Sequence, residues 1–590
     1  MNISNRIEKL RLLIQERGIH AYVINGTDPH QSEYPPERWR TRAWISGFTG
    51  SAGTVVVTRN KAGLWTDSRY HLAAEGQLKD TGIELFRSGN PGVPAYDDWL
   101  KENCSSGQKV SFDAGSFSVA QFRKLSQNLE KKGIVTEGSD DLLEELWEER
   151  PPFPAGDAFI LPAQYTGQER TGKIQAVRGF AAKRGAEVYI TGDLPGIAWL
   201  LNIRGSDIAY NPLVVAYAAV LPDEVILFTE AAKFSREDTE TLEKDKVFIQ
   251  PYAAMEKYVE SLKKGTSVYY SPASLNMKLY GLIPEECDRK EGEDPAVSLK
   301  AVKNKTEIEG IKRCMVRDGV ALTKFFFWLF QNVPAGGITE LSAQAELKKI
   351  RSTGENYRDE SFEAISAFGE HAAIVHYAPD SSSDREIKAP GIYLLDSGAH
   401  YMDGTTDVTR TAAIGEATPE QKRDYTLVLK GHIALARAVY PEGTKGSQLD
   451  VLARQFLWEN RMNYGHGTGH GIGHYLNVHE GPQAIKPGDS PPLKPGMVTS
   501  NEPGLYPGKY GIRIENLILT VEDQKSNYGQ FFKFETLTLF PYDKNLIDKN
   551  LLSADETQWI NEYHRKVYRA LSPHLEGDEK NWLKEMTKEE

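Results

Sequence analysis

Residues 393–411 read Tyr-Leu-Leu-Asp-Ser-Gly-Ala-His-Tyr-Met-Asp-Gly-Thr-Thr-Asp-Val-Thr-Arg-Thr. An apolar run over residues 392–395 ends at Asp396, and a second β-prone run starts at Asp407. Asp403-Gly404 between the two runs is a hairpin signal. Such a hairpin places Asp396 and Asp407 on neighbouring strands, close enough to share a cation, with the register left open. Two carboxylates a few Å apart repel unless they share a proton or bind metal. Aspartates also mark turns, and these two alone do not decide between the readings.

Further donors follow downstream. Residues 465–474 form a glycine-rich histidine cluster, Gly-His-Gly-Thr-Gly-His-Gly-Ile-Gly-His, with His479 close behind. Asn501-Glu502-Pro503-Gly504 comes next, then Gly511-Ile512-Arg513-Ile514-Glu515-Asn516. Strand alternation in the last run puts Arg513 and Glu515 on one face and Ile512 and Ile514 on the other. A charged pair in a core-like strand is costly unless matched by metal or partner charge. Four carboxylates and a histidine make an oxygen-rich donor set. It suits a pair of divalent cations, Mn²⁺ more naturally than a thiolate-seeking ion. Glycines flank His470 and let backbone approach a bound ion. His466 lies four residues earlier but not on a helix, so the helical zinc motif does not apply.

The order Asp…Asp…His…Glu…Glu, in the contexts Asp-Ser-Gly, Thr-Asp-Val-Thr-Arg-Thr, His-Gly-Thr-Gly-His-Gly, Glu-Pro-Gly and Arg-Ile-Glu-Asn, resembles the pita-bread metallopeptidases. Within them it is most similar to the aminopeptidase P family in its long three-domain form. The N-terminal half carries the same family's wording in residues 30–34, 50–54, 65–70 and 204–207.

The resemblance implies two divalent ions per chain, Mn²⁺ first and Zn²⁺ or Co²⁺ as alternatives. Asp407 and Glu515 bridge them, Asp396 completes one shell, and His470 and Glu502 complete the other. A hydroxide between the ions is then the nucleophile. It further implies catalytic roles for Glu502, His479 and His376. Substrate contacts are implied for Arg69, His376, His466, His470, His479 and Glu502. Arg513 and Arg410 are expected to orient the carboxylates from behind. The implied reaction is hydrolysis of the bond between any N-terminal residue and a penultimate proline, by a homodimer. His371, His400, His432 and His474 are read as structural or surface residues.

Composition agrees with a soluble enzyme. At 590 residues the chain is too long for one core. Apolar content of 40% and charged content of 26% are ordinary for a globular protein. A net charge of −12 disfavours nucleic acid and anionic membranes as partners. No run approaches the roughly 18 apolar residues that would span a bilayer. Residues 1–18 read as an amphipathic helix, not a signal peptide. Three dispersed cysteines imply no disulfide framework, so a cytoplasmic location is the simplest.

The expected fold is α/β: two tandem, related, creatinase-like α/β domains over 1–150 and 151–297, then a pita-bread α+β catalytic domain over 298–590. Three prolines among residues 151–154 mark the first linker. The second segment repeats the plan of the first, since a helix ending in Arg-Gly and then a strand precede Ala-Trp-x5-Gly-Ser in each. Thr306 is the expected N-cap of a long helix opening the third domain. Residues 421–439 and 448–460 are predicted helices. The tail from about 552 is expected to be a charged, helical, solvated edge with a frayed end.

Two rivals follow. A prolidase would share the metal site but accept only dipeptides, and the duplicated N-terminal half favours the aminopeptidase. A binding module of the same fold would have lost ligands, and here all five are present.

Overall fold

A computed structural model describes residues 2–589; Met1 and Glu590, at the outer ends of the expected first helix and tail, lie outside the described residues. The chain divides into two compact units. One runs up to Pro162 and takes in Gln168–Ser298; the other comprises Ala163–Gly167 and the chain from Leu299 onward.

The N-terminal unit contains two six-stranded sheets of identical plan. The first orders its strands Glu84–Arg87, Ala62–Thr66, Thr54–Thr58, Ala21–Ile24, Lys109–Asp113, Val135–Ser139. The second orders them Val247–Gln250, Val225–Phe228, Tyr217–Val220, Val188–Thr191, Ser267–Tyr270, Asp288–Glu291. In each, pairing across the sheet runs parallel, antiparallel, antiparallel, parallel, parallel. Matching order and polarity make the repeat seen in the sequence a repeat of topology. The repeated Ala-Trp pair falls on corresponding helices, Thr41–Ser46 and Leu194–Leu201.

The C-terminal unit opens on the helix Lys305–Asn332. Its cap is Asn304, not Thr306: the Asn304 side chain accepts from Glu307 N–H (3.0 Å), and the Glu307 carboxylate accepts from Asn304 N–H (2.9 Å). Both halves of a capping box satisfy otherwise orphaned donors, which a threonine two residues further in could not do. The helix expected over 421–439 spans Pro419–Ala436, and Val439 already belongs to a strand.

A three-stranded sheet pairs Gly391–Ser397 with Ile365–Phe368 on one side and Val408–Ile414 on the other. A four-stranded sheet holds Val498–Asn501 against Asn516–Ser526, with Gly529–Thr536 and Val439–Pro441 beyond. The segment 512–516 joins the two, as Glu515 N–H donates to Thr409 O (3.1 Å) and Thr411 Oγ1 donates to Arg513 O (2.9 Å).

The tail corrects its expectation. Helix Ala554–Leu571 buries Ile560, Tyr563, His564, Val567 and Leu571, and four of these join the core cluster that contains Ile512, Ile514 and Leu517. Most of its charges lie on the outer face of an amphipathic helix and Glu556 is buried against Lys430, so high charge did not mean a solvated edge.

One buried ion pair ties this architecture to the segment preceding Asp407. Arg351, fully buried, donates from Nε to Asp318 Oδ1 (2.8 Å) and from Nη2 to Oδ2 (3.1 Å), while Tyr401 Oη donates to the same carboxylate (3.2 Å). Removing one partner leaves an uncompensated buried charge. Arg351→Met is expected to cost about 3–5 kcal/mol in urea denaturation, and the Asp318→Asn/Arg351→Met double variant to recover part of that loss. Equal losses in the single and double variants would show that the pair's charge is not what matters.

Candidate metal centre

Asp396 is the penultimate residue of Gly391–Ser397, and its ladder partner is Thr409, two residues beyond Asp407. The two aspartates therefore come together, though not by the turn the sequence suggested. Asp403-Gly404 closes a small side hairpin, Ala399–Tyr401 with Gly404–Thr405, and Asp407 stands one residue ahead of its strand. The whole of 398–407 is an excursion whose ends are brought back into register by the longer ladder.

His470 lies in a two-residue strand, Gly469–His470, paired with Ala484–Ile485. A Cβ on Gly469 would collide with the Ser500 carbonyl, and one on Gly471 with that of Glu480. Only glycine permits both approaches, and these hold the His470 backbone. Glu502 follows directly on the strand Val498–Asn501. Glu515 sits between the short strand Ile512–Arg513 and Asn516–Ser526, so the expected strand is interrupted at 514–515. The alternation holds nonetheless: Ile512 and Ile514 enter the core, while Arg513 and Glu515 face Thr409.

The donors converge. Ligand atoms of Asp407, His470 and Glu515 lie within 4.8 Å of one another. His470 Nε2 is 3.4 Å from both Asp407 Oδ2 and Glu502 Oε1. That spacing suits atoms sharing an ion about 2.0–2.2 Å from each. Arg513 Nη2 donates to Asp396 Oδ2 (2.6 Å), while Asp396 Oδ1 is buried with no hydrogen-bond partner among the described residues. Asp396, Asp407, Glu502 and Glu515 thus act on one another while the Arg513 guanidinium bonds Asp396, an excess of negative charge that protons or cations neutralise. Burial, then Asp396 and Glu502, push Asp407 well above the usual carboxylate range. Burial, then Asp407 and Glu502, do the same to Glu515. Glu502 is raised to about 7, burial again dominating and Arg513 opposing. An orphaned buried oxygen and an oxygen-rich donor set with one imidazole fit two divalent cations.

The remaining expected residues divide. The His479 ring stands edge-on to His470, centroids 4.3 Å apart. His466 is buried, its Nε2 2.8 Å from Tyr506 Oη. His376 is half-buried in the turn after the short helix Gly369–Ala373, and that helix is pressed so closely on the 511 loop that a Cβ on Gly511 would strike the Ala372 carbonyl. Among the described residues Arg410 bonds no carboxylate; it donates to main-chain carbonyls, including Glu515 O (2.6 Å), and so fixes backbone instead. Its strand turns it away from Asp407 because three residues along a strand reverse the face. Arg69 lies in the N-terminal unit in a bidentate pair with Asp67 (2.9 and 2.7 Å).

Sequence reasoning missed Tyr506, whose hydroxyl accepts from Arg513 Nη1 (2.7 Å) and meets His466, and Thr409, which donates to Glu515 Oε2 (2.9 Å). Thr409 carried a signal, being two residues from Asp407 and so on the same strand face. Of the four histidines set aside as structural or surface, His400, His432 and His474 are buried and His371 is half-buried against Glu340.

Comparison with known proteins follows the same segments. A family profile described as the Creatinase/Prolidase N-terminal domain matches residues 6–146, and a second of the same description matches 149–307. Metallopeptidase family M24 matches 309–522, and the C-terminal region of that peptidase matches 530–589. A probable Xaa-Pro aminopeptidase P of Laccaria bicolor is 40% identical over 600 residues, covering 99% of this chain and 93% of that protein. Aminopeptidase P2 of Arabidopsis thaliana is 38% identical over 623 residues, covering 98% and 88%. The crystal structure of X-prolyl aminopeptidase from Caenorhabditis elegans, described as a cytosolic enzyme with a di-nuclear active site, superposes with a TM-score of 0.96 at 36% identity over 100% of both chains. With this identity sustained across two creatinase-type domains and the peptidase domain, the chain belongs to the aminopeptidase P family of M24 metallopeptidases.

Proposed function

We propose that the protein is a dinuclear metalloaminopeptidase that releases the N-terminal residue from peptides with proline in second position. The observation that carries this is the convergence of Asp407, Glu502 and Glu515 on His470, with Asp396 held by Arg513 and its other oxygen buried and unbonded among the described residues. Family membership supplies the substrate class. Domains bounded near residues 150 and 297, a cytoplasmic location and a homodimer belong to the same reading; the nematode relative is described as cytosolic, and among the described residues no helix is long and apolar enough to cross a membrane.

Asp407 and Glu515 would bridge two cations, Asp396 would complete one shell, and His470 and Glu502 the other, with Mn²⁺ the ion best suited to these donors. When bound, the pair supplies Lewis acidity and makes water a stronger acid. The protein's own residues do the rest. Arg513 holds Asp396 in one orientation, and Thr409 does the same for Glu515. Glu502, fixed by Ser500 Oγ (3.1 Å), takes the proton of the attacking water. His479, beside His470, passes a proton to the departing nitrogen, and His376 holds the peptide.

Proline specificity follows from the bond itself. An Xaa-Pro bond is a tertiary amide without N–H, so no donor contact can be made at that nitrogen, which must be protonated to leave as a secondary amine. Imidazoles can pack against the ring and deliver that proton. An alanine in its place buries fewer carbons and forfeits about 0.8 kcal/mol per CH₂.

Asp407→Asn should bind metal more than about 100-fold more weakly and lose nearly all turnover, since outer partners alone cost 10–100-fold and an amide cannot bridge two dications. Near-native activity at micromolar Mn²⁺ would end the dinuclear reading.

Arg-Pro-Pro should lose its first residue while Arg-Ala-Pro at equal concentration is left nearly intact. His479→Ala should lower kcat on the former by about 10²–10⁴-fold with metal content, read by atomic emission, unchanged. Comparable cleavage of both peptides marks a general aminopeptidase.

Stability gives an independent check. In the metal-free protein Glu502, Asp407 and Glu515 hold protons more tightly folded than unfolded, so this contribution is present at low pH and is lost as pH rises above the unfolded carboxylate range, for Glu502 through about 7. Cations displace those protons and reverse the effect. The gain in melting temperature on adding Mn²⁺ should therefore widen steadily from pH 5 to pH 8. A gain that shrinks over that range contradicts the assignment.

A further inference from the structure

Beneath the ligands lies a second buried polar layer that the proposed mechanism does not use. Asn501 immediately precedes Glu502, Asn516 immediately follows Glu515, and the two asparagines are opposite partners in one antiparallel ladder. His432, on helix Pro419–Ala436, is fully buried behind them. Its Nδ1 lies 3.1 Å from the Asn501 carbonyl, and its Nε2 lies 3.0 Å from Tyr542 Oη and 3.2 Å from Asn516 Nδ2.

These partners fix the tautomer. A carbonyl only accepts, so Nδ1 carries the hydrogen; burial, and then Arg410, lower the ring's pKa to about 3, so Nε2 is an acceptor. The Asn516 amide is oriented in turn: Nδ2 donates to Tyr542 Oη (2.8 Å), and Oδ1 accepts from Arg410 Nη2 (2.8 Å). Arg410 also donates to Glu515 O (2.6 Å) and to Tyr563 Oη (3.1 Å). Asn501 Nδ2 closes the circuit on His432 O (2.9 Å). The residues on the ligand-free side of Glu502 and Glu515 thus share one connected network, in which Asn501 Oδ1 is left without a partner among the described residues, and two of its members, Tyr542 and Tyr563, come from the C-terminal segment.

We propose that His432 is a positioning residue for the metal centre: bonded to Asn501 on one side and, with Tyr542, to Asn516 on the other, it sets the separation of Glu502 and Glu515. This rests on the dinuclear reading above. Mutually repelling carboxylates splay unless their backbones are held, and in a dry interior the hydrogen bonds that tie Asn501 and Asn516 to His432 are stronger than they would be in water. The C-terminal helix Ala554–Leu571, through Tyr563 and Arg410, is then part of the site's frame.

The test is a calorimetric titration of metal-free, folded protein with MnCl₂. Tyr542→Phe keeps the ring in its stack on Tyr563 (4.9 Å) and removes only the hydroxyl. It should bind Mn²⁺ about 10–100-fold more weakly, with kcat recovered at saturating Mn²⁺ and KM for the peptide unchanged. His432→Asn, which keeps a donor towards Asn501 but loses Tyr542, should shift affinity in the same direction and serves alone if Tyr542→Phe does not fold. A folded variant with wild-type Mn²⁺ affinity and only a lowered melting temperature overturns the positioning role. Wild-type protein that takes up no Mn²⁺ overturns the dinuclear reading and this inference with it.

Discussion

The constraint on which the C-terminal unit depends is the crowding of Asp396, Asp407, Glu502 and Glu515 in a buried space with one guanidinium among them. In low dielectric such a set is strongly unfavourable as four free anions, and Asp407, Glu502 and Glu515 hold protons above the usual carboxylate range. A fold that keeps them together must resist their separation at the backbone. Three features do so here. Glycines on both sides of His470 let strands approach as no other residue could. Arg410 gathers the carbonyls of Glu515, Phe540 and Pro541. Ladder partners Asn501 and Asn516 put the two glutamates at the ends of adjacent strands.

Buried ion pairs further out pin the segments that carry the ligands. Glu480, next to His479, is buried between Lys300 (3.2 Å) and Lys303 (2.5 Å), and its N–H donates to Gly471 O (2.8 Å). One carboxylate thereby anchors the loop running from His470 to His479. Asp318 and Arg351 act likewise on the excursion 398–407, where Arg351 Nη1 reaches Gly398 O (3.4 Å) and Tyr401 reaches Asp318. Such pairs contribute little net stability against a hydrophobic replacement, yet they penalise any arrangement that separates the partners. Their value is in specifying loop positions, which a catalytic centre needs more than it needs extra stability.

The N-terminal unit shows the same sheet twice, with strand order and polarity preserved although little wording beyond Ala-Trp and Gly-Ser survives between copies. Each copy keeps its own apolar clusters, one around Ile14, Val55 and Leu64, another around Val188, Val268 and Leu279. Volume and patterning tolerate wide exchange among apolar residues, so topology persists where sequence does not.

By itself the sequence determined the ligand types, their order and the repeat. Those are properties of local wording: Asp, His and Glu in glycine- and threonine-rich contexts, and periodicities of helix and strand. The tertiary structure decided what depends on distant partners. The return of Asp407 beside Asp396 comes from a seven-residue ladder, not from the Asp-Gly turn between them, because pairing energy accumulates along the longer strands. Whether a charged helix is solvated depends on what its other face meets, and Ala554–Leu571 meets the core. His432 has no local mark distinguishing it from any helical histidine. Its neighbours come from residues 501, 516 and 542, and only the fold places a carbonyl on one ring nitrogen and a hydroxyl on the other.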